Sequence, residues 1–298
     1  MKIIIDKNAG VCAGVSRAIR LADEGLENKD ELVALGPLIH NNLEITRLEN
    51  KGLVTLDQDN MADGRYDPEM LVDKKLLVRT HGIGTRLRNR LEQLDIELVD
   101  ATCPTVRRVQ KLVARHYQDG FQIVIVGKKK HPEVQGLLGH CDENALVVSS
   151  KADIRNIDLG RKTFLSAQTT MSPELLYEIR DYLVDRVKEL VFVDTTCKMI
   201  NKRHQHLKEF AFSCDVVVFV GGKQSSNTAF LSEICRSVNS RTFRIEDSTE
   251  INMAWFTNAA SVGITGGAST PKWQLERIKT FIEKNAGNGV NHRNKEEL

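Results

Sequence analysis

The chain has 298 residues, of which 41% are apolar and 28% are charged, a composition typical of a globular rather than a disordered protein. Its 42 basic and 40 acidic residues leave a net charge of +2, so charge alone gives no reason to expect nucleic acid or an anionic membrane as a partner. The apolar run at the start is short, and we predict neither a signal peptide nor a membrane span. We expect a cytoplasmic protein, in which six cysteines favour metal or catalytic roles over disulfides.

The predicted elements of the first third begin with an apolar run at residues 3–5, which leads to Cys12. A helix of about 14 residues follows, and a strand of five residues or so then ends before His40. Residues 57–73 are predicted to form a solvated loop, because they lack the glycine and the closing glutamate of a calcium loop. The apolar run that follows ends at His81.

The same order of elements recurs twice along the rest of the chain. A helix over residues 105–118 and a strand over 122–126 follow Cys103, and the equivalents after Cys197 are predicted at residues 199–212 and 216–220. A further helix starts at Ser172, where a capping residue precedes a proline. Alternation of strands and helices predicts an α/β fold with parallel sheets.

Three cysteines recur with a period of about 92 residues. A polar residue follows each cysteine about 28 residues later and another about 70 residues later, always at the end of an apolar run. These positions are His40, His131 and Ser225 in the first set, and His81, Thr169 and Ser269 in the second. Because open parallel sheets bind ligands beyond the carboxyl ends of their strands, the repeat predicts a shared cavity lined by thiols and polar side chains.

Two kinds of metal centre can be held by three cysteine thiolates with no fourth cysteine ligand. One is a zinc site, and the other is an iron–sulfur cluster in which one iron has no protein ligand. The remaining cysteines, Cys141, Cys214 and Cys235, lie outside the repeat and are interpreted as small buried apolar residues.

Two glycine-rich stretches are candidates for anion binding. Residues 221–227 (GGKQSSN) fail the pattern of a nucleotide-binding P-loop, yet Ser225, Ser226 and Asn227 offer hydroxyl, amide and backbone N–H groups suited to phosphate. Residues 266–269 (GGAS) offer the same chemistry. With the histidines of the repeat, they predict a diphosphate site, and a partly desolvated Glu133 beside His131 could hold a proton near neutral pH.

Eight short motifs follow one another along nearly the whole chain. They are GVCAGV at residues 10–15, LGPLIHN at 35–41, THG at 80–82, DATCP at 100–104, HPEV at 131–134, QTT at 168–170, SSN at 225–227 and GAS at 267–269. In these motifs the chain resembles the 4-hydroxy-3-methylbut-2-enyl diphosphate reductases, the LytB/IspH family.

The resemblance implies a trefoil of three pseudo-symmetric α/β lobes around a central [4Fe-4S] cluster. Its ligands would be Cys12, Cys103 and Cys197. The lobes would comprise residues 13–96, 97–192 and 193–284, with the N-terminal strand, residues 1–12, in the third lobe and a flexible tail over residues 285–298.

The resemblance also implies an activity and its residues. The reaction would be the reductive dehydroxylation of (E)-4-hydroxy-3-methylbut-2-enyl diphosphate to isopentenyl and dimethylallyl diphosphate, the last step of the non-mevalonate isoprenoid pathway. A ferredoxin or flavodoxin would supply electrons, and Glu133 would supply the proton beside His131 and Thr169. The diphosphate would be held by His40, His81, Ser225, Ser226, Asn227 and Ser269.

The chain departs from the family pattern after the third cysteine. Ile200 stands where members usually have threonine, and His204 stands where they have glutamine. Lys128 occupies a position where histidine is common. Two other classes of function compete with the reductase: a zinc hydrolase with three cysteines and a histidine as ligands, and a non-catalytic iron–sulfur sensor.

Overall fold

A computed structural model of the chain describes residues 1–56, 71, 73–93 and 96–288. The strands are β1 (Lys2–Ile5), β2 (Leu32–Leu35), β3 (Val54–Leu56), β4 (Lys75–Val78), β5 (Glu97–Asp100), β6 (Gln122–Val126), β7 (Ala145–Val148), β8 (Lys162–Ala167), β9 (Glu189–Phe192), β10 (Val216–Val220), β11 (Thr242–Ile245) and β12 (Ser261–Gly266). The helices are α1 (Ala13–Glu27), α2 (Asn42–Glu49), α3 (Thr85–Gln93), α4 (Pro104–Gln118), α5 (Pro132–Leu138), α6 (Pro173–Leu183), α7 (Lys198–Asn201), α8 (Arg203–Phe212), α9 (Ser226–Arg236) and α10 (Lys272–Asn288). Short 3₁₀ helices cover Lys151–Asn156, Ser248–Glu250 and Met253–Phe256. None of these helices is both long and apolar enough to cross a membrane.

The strands form three four-stranded sheets with one recurring order. The orders are β1-β12-β10-β11, β5-β4-β2-β3 and β9-β8-β6-β7, and every pairing is parallel. In each sheet an edge strand leads to one of the three repeated cysteines. The predicted α/β fold with parallel sheets is confirmed.

Strand pairing assigns the segments near the repeat boundaries to particular sheets. β1 pairs with β12, so the N-terminal strand lies in the third sheet. β5 pairs with β4 in the sheet of the first repeat, whereas a boundary between residues 96 and 97 would place it in the second lobe. That boundary came from the resemblance to the family. Because β5 pairs with β4, we propose that the boundary follows Asp100 instead.

By compactness the chain divides into two units. The first comprises Met1–Ala13, His40–Thr46 and Lys198–Leu298 and holds one sheet. Its core packs buried residues of β10, including Val216, Val218 and Val220, against Leu275 and Ile278 of α10. Fully apolar central strands of this kind are expected where helices cover both faces of a parallel sheet.

The second unit comprises Gly14–Ile39 and Arg47–Cys197 and holds the other two sheets. Residues of β6 alternate between two clusters: Val124 and Val126 pack towards α6, while Ile123 and Ile125 pack towards α4 and α5. Strands buried on both faces lose the alternation of apolar and polar residues, which is why residues 123–126 of β6 form a continuous apolar run.

Three predicted segments differ from the structure or lie outside its described residues. The single helix predicted over residues 199–212 is observed as α7 and α8, separated by Lys202, whose backbone stays in the right-handed helical region. α10 continues past Asn285, where the flexible tail was predicted to begin, and residues 289–298 lie outside the described residues. So does nearly all of the predicted loop at residues 57–73.

Candidate functional site

The three repeated cysteines are held by equivalent backbone hydrogen bonds. Each lies just beyond an edge strand, and its N–H donates to a carbonyl just beyond the neighbouring strand. The donor–acceptor distances are 2.9 Å from Cys12 to Ala268, 3.0 Å from Cys103 to Thr80 and 2.8 Å from Cys197 to Thr169. These partners lie at or next to the second set of polar positions in the repeat, so the fold confirms the repeat at the level of single hydrogen bonds.

The six cysteines fall into two groups by their surroundings. Those of the repeat, Cys12, Cys103 and Cys197, are partly exposed, whereas Cys141, Cys214 and Cys235 are buried. Burial raises the pKa of Cys141 and that of Cys235 to about 12, and it also raises the pKa of Cys214. Since the thiolate is the form that binds metals, the buried group is unsuited to ligation and the repeated group is suited to it.

A glycine leaves room for the sulfur of Cys103. A Cβ added at Gly14, in the first turn of α1, would lie 2.8 Å from Cys103 Sγ. Real Cβ atoms avoid so short a contact, so any larger residue would displace the thiol. The absence of a side chain at Gly14 therefore leaves the space that the Cys103 thiol occupies.

Glu133 is a buried carboxyl group in the first turn of α5. Its Oε1 accepts a hydrogen bond from Thr169 N–H at 2.6 Å, and its Oε2 accepts one from Thr169 Oγ1 at 2.8 Å. Burial raises the pKa of Glu133 to about 7, and the two hydrogen bonds from Thr169 only partly oppose that rise. The carboxyl group can therefore gain and lose a proton near neutral pH.

His131 caps the helix that carries Glu133. Its Nδ1 accepts a hydrogen bond from Glu133 N–H at 3.1 Å, which leaves Nε2 as the protonated nitrogen of a neutral ring. The ring of His81 meets the ring of His131 edge to face, with centroids 5.4 Å apart. A chain of contacts within the second unit thus links four residues: His81, His131, Glu133 and Thr169.

The N-terminus of α9 carries the serines and the asparagine predicted to bind phosphate. Ser225 caps the helix and accepts a hydrogen bond from Thr228 N–H at 3.1 Å. Asn227 Oδ1 accepts a hydrogen bond from Ala268 N–H at 2.6 Å, while its buried Nδ2 has no hydrogen-bond partner in the described part of the chain. An unpartnered buried donor at a helix N-terminus suits an anionic ligand.

His40 and Ser269 also meet within the first unit. Ser269 Oγ donates to the carbonyl of His40 at 3.2 Å. The backbone of Gly222 passes so close to His40 that a Cβ there would collide with the same carbonyl. In the first unit, the segment of His40 therefore contacts that of Ser269 and Gly222, and Asn227 in the first turn of α9 contacts the backbone of Ala268, next to Ser269.

Two positioning residues escaped the sequence analysis. Asn41 is fully buried, and its Nδ2 donates to Ser269 O at 2.9 Å and to Gln274 Oε1 at 2.8 Å. Gln168 is fully buried too, and its Oε1 accepts a hydrogen bond from Lys128 N–H at 3.1 Å. Both belong to the motifs LGPLIHN and QTT quoted above, but nothing in the sequence indicates the hydrogen bonds that they form.

The residues that depart from the family pattern have ordinary packing partners. Ile200 is buried in α7. The ring of His204 meets Phe230 edge to face, with centroids 5.0 Å apart. Arg203, between them, donates from Nη2 to the carbonyl of Gly266 at 2.9 Å.

Comparison with known proteins assigns the chain to a family. The sequence profile of the family described as LytB protein matches residues 3–283. The chain belongs to the LytB family. Like its relatives, which are named reductases, it is an oxidoreductase.

Two relatives of this LytB protein illustrate how complete the similarity is. It is 36% identical over 286 residues to the 4-hydroxy-3-methylbut-2-enyl diphosphate reductase of Clostridioides difficile, a match that spans 95% of this chain and 99% of the relative. Identity to the Aquifex aeolicus protein of the same name is 35% over 286 residues, spanning 95% and 96% of the two chains. The family predicted from the motifs is confirmed.

Solved structures agree in fold. One, titled as (E)-4-hydroxy-3-methyl-but-2-enyl diphosphate reductase, the terminal enzyme of the non-mevalonate pathway, matches with a TM-score of 0.71 and 34% identity, covering 95% of this chain and 100% of that one. A reductase structure from Plasmodium falciparum matches with a TM-score of 0.80 at 24% identity, over 94% of this chain and 87% of that one. The second likeness shows the fold alone.

Proposed function

We propose that this LytB protein reduces (E)-4-hydroxy-3-methylbut-2-enyl diphosphate to isopentenyl and dimethylallyl diphosphate, the last step of the non-mevalonate isoprenoid pathway. The observation that carries the proposal is the set of three partly exposed cysteines, each held by the same backbone hydrogen bond at the end of an edge strand. The names of the relatives support the choice of substrate.

We further propose that Cys12, Cys103 and Cys197 bind a [4Fe-4S] cluster. The contrast with the three buried cysteines of raised pKa and the space that Gly14 leaves beside the sulfur of Cys103 support this set of ligands. Held by these three cysteines, the cluster would supply a Lewis acid for the substrate hydroxyl and electrons for cleavage of the C–O bond.

His40, His81, Ser225, Ser226, Asn227 and Ser269 are proposed to bind the diphosphate. Ser226 is the first residue of α9, where backbone N–H groups and the helix dipole favour negative charge. The unpartnered Nδ2 of Asn227 is a donor that a phosphate oxygen would satisfy. The substrate would thereby be anchored at its charged end.

Glu133 is proposed to be the catalytic proton source, with His131 and Thr169 beside the substrate hydroxyl. The reaction consumes two electrons and two protons, breaks the C–O bond and releases water. Hydroxide is a poor leaving group, so a proton must reach the departing oxygen. With a pKa of about 7, this buried carboxyl group is protonated in a substantial fraction of molecules at neutral pH and can donate the proton, and Thr169 fixes its orientation.

A ferredoxin or a flavodoxin is proposed to deliver the electrons, in a cytoplasmic setting. The reaction needs two electrons, and such proteins supply them singly. A reducing compartment fits the chain, since none of the six cysteines, all of which lie among the described residues, is in a disulfide.

The experiment that tests this function is anaerobic purification, followed by iron and sulfide analysis and an assay with reduced methyl viologen. We expect a coloured protein with about four irons and four sulfides per chain that converts the substrate to both products. Colourless protein with bound zinc, or a loaded cluster without turnover, would contradict the proposal.

A further inference from the structure

A groove with a volume of about 540 Å³ adjoins Cys103 in the second unit. The residues on both sides of that cysteine, Thr102 and Pro104, line it. Most of the other lining residues are cationic. These other residues are Arg17, Arg107, Arg108, Lys111, Leu112 and Arg115. We call this surface the basic groove.

The charge of the basic groove is only partly neutralised by neighbouring acids. Arg107 pairs with Asp100 at 2.9 Å, and the same carboxylate also binds Arg88 at 2.6 Å. Arg115 is 3.9 Å from Asp119. Within the described ranges of the chain, the other three cations of the groove form no ion pair: Arg17, Arg108 and Lys111. The groove therefore presents a net positive field to solvent.

The stability of α4 does not explain these cations. The helix is anchored by its buried face, which includes Val106, Val109 and Val113. Its first turn contains no acidic residue, and Arg107 and Arg108 follow directly. Cations near a helix N-terminus are unfavourable because they face the positive end of the helix dipole. Arg115 lies in the last turn, where the dipole favours a cation, but Arg107 and Arg108 have no such support, and a binding role for the exposed face accounts for them.

We propose that the basic groove is the docking surface for a small acidic protein that carries single electrons. This inference rests on the proposed function, because only a reductase needs such a donor. In each encounter the donor would lose one electron, and the cluster that Cys103 would help to hold would gain it. Two encounters supply the two electrons that dehydroxylation consumes.

Two features favour an acidic protein over nucleic acid as the occupant. The lining of the groove includes no aromatic side chain on which a base could stack. The cations lie beside a proposed cluster ligand, so a donor attracted to them would bring its redox group near Cys103. Complementary charge also speeds the association of transient partners.

The test compares two double variants with the same change in net charge. Arg108→Glu/Lys111→Glu reverses two exposed cations of the groove, and Lys208→Glu/Lys284→Glu reverses two exposed lysines elsewhere. We measure kcat/KM with a reduced acidic flavodoxin as donor and, separately, with reduced methyl viologen. The groove variant should lose at least tenfold with flavodoxin and retain its viologen rate, while the control pair keeps both rates. An equal loss in both pairs, or none in the groove variant, overturns the proposal.

A second measurement uses the unaltered protein and so does not depend on how the variants fold. A carbodiimide, which joins a lysine amine directly to a carboxylate, is added to the reductase with flavodoxin. Peptide mapping should place a cross-link at Lys111. Cross-links confined to other lysines would overturn the docking site. In a separate binding measurement, a labelled RNA that binds the groove without competing with flavodoxin would also overturn it. Viologen activity reports the proposed function independently, so failure of the docking site is distinguishable from failure of the function.

Discussion

Glu133 combines burial with two hydrogen bonds from a single residue, Thr169. We expect Glu133→Gln to lower kcat by 10²–10⁴-fold, the usual contribution of a positioned acid. The amide oxygen can still accept from Thr169 N–H and the amide nitrogen can donate to Thr169 Oγ1, but the amide cannot supply the proton. Viologen-driven turnover measures the loss. Iron and sulfide contents should stay unchanged, and Glu178→Gln on an exposed surface should keep full activity. Full activity in Glu133→Gln would remove the assigned role.

The same carboxyl group makes stability depend on pH. Its pKa is raised from 4.5 to about 7 in the folded chain, so between these values the folded state binds more protons than the unfolded state. The free energy of unfolding should therefore fall as pH rises through this window, by up to about 3 kcal/mol for the full shift. We take the melting temperature of the Glu133→Gln variant minus that of the unaltered protein, both without cluster. This difference should be more positive at pH 7.5 than at pH 4.5. A difference in melting temperature that does not change with pH would contradict the raised pKa.

The repeat made the polar site residues predictable, while their supporting residues were not. His40, His131 and Ser225 follow central strands at one spacing, so counting along the chain finds them. Asn41 bonds to Ser269 and Gln274, which lie far away in the chain. Such contacts are created by folding and leave no local pattern.

At the scale of elements, two glycines set the distance between α3 and α5. A Cβ at Gly84 would lie 2.9 Å from Gly139 Cα, and one at Gly139 would lie 2.7 Å from Gly84 Cα. Thr85 N–H, at the start of α3, donates to the carbonyl of Gly139 at 3.1 Å. Two backbones packed this closely cannot accept a side chain without moving.

We therefore expect Gly84→Ala to lower the free energy of unfolding by about 1–3 kcal/mol, the usual cost of overpacking. Gly160→Ala is the matched control, because a Cβ there would meet only the end of the Asp158 side chain, at 3.3 Å. Chemical denaturation of both variants measures the difference. Equal stability of the two would show that α3 and α5 can move apart at little cost.

The elements that were predicted best are those whose local sequence suffices. β6 and β10 consist of five-residue runs dominated by β-branched side chains, and their observed bounds match the prediction. The partner of β5 could not be predicted locally, because its four residues, ELVD, do not specify a neighbouring strand. Lys202, which separates α7 from α8, keeps a right-handed helical backbone conformation. Helix propensity along the sequence therefore could not indicate the break.

At the scale of the whole molecule, one sequence pattern has produced three sheets with the same strand order. Three lobes, one to each sheet, remain our proposal for the domain organisation, with the first boundary moved to follow Asp100. Division by compactness instead yields two units, one of which holds two sheets. Local periodicity predicts the repeat, whereas compactness depends on packing between distant segments, such as the contact of Gly84 with Gly139.

The six cysteines allow a test that spans the whole chain. In cluster-free protein, iodoacetamide should alkylate Cys12, Cys103 and Cys197, because these are partly exposed. Cys141, Cys214 and Cys235 should react only after denaturation, since burial both blocks the reagent and raises the pKa of each thiol. Peptide mass spectrometry identifies the labelled residues.

Anaerobic reconstitution with iron and sulfide should then protect the three reactive cysteines together. A thiolate that is bound to iron does not react with iodoacetamide, and a cluster held by three sulfurs binds all three at once. Protection should therefore rise in equal proportion at the three sites as iron is added. If Cys103 and Cys197 were protected while Cys12 stayed reactive, the three would not be ligands of one cluster, however similar their backbone hydrogen bonds.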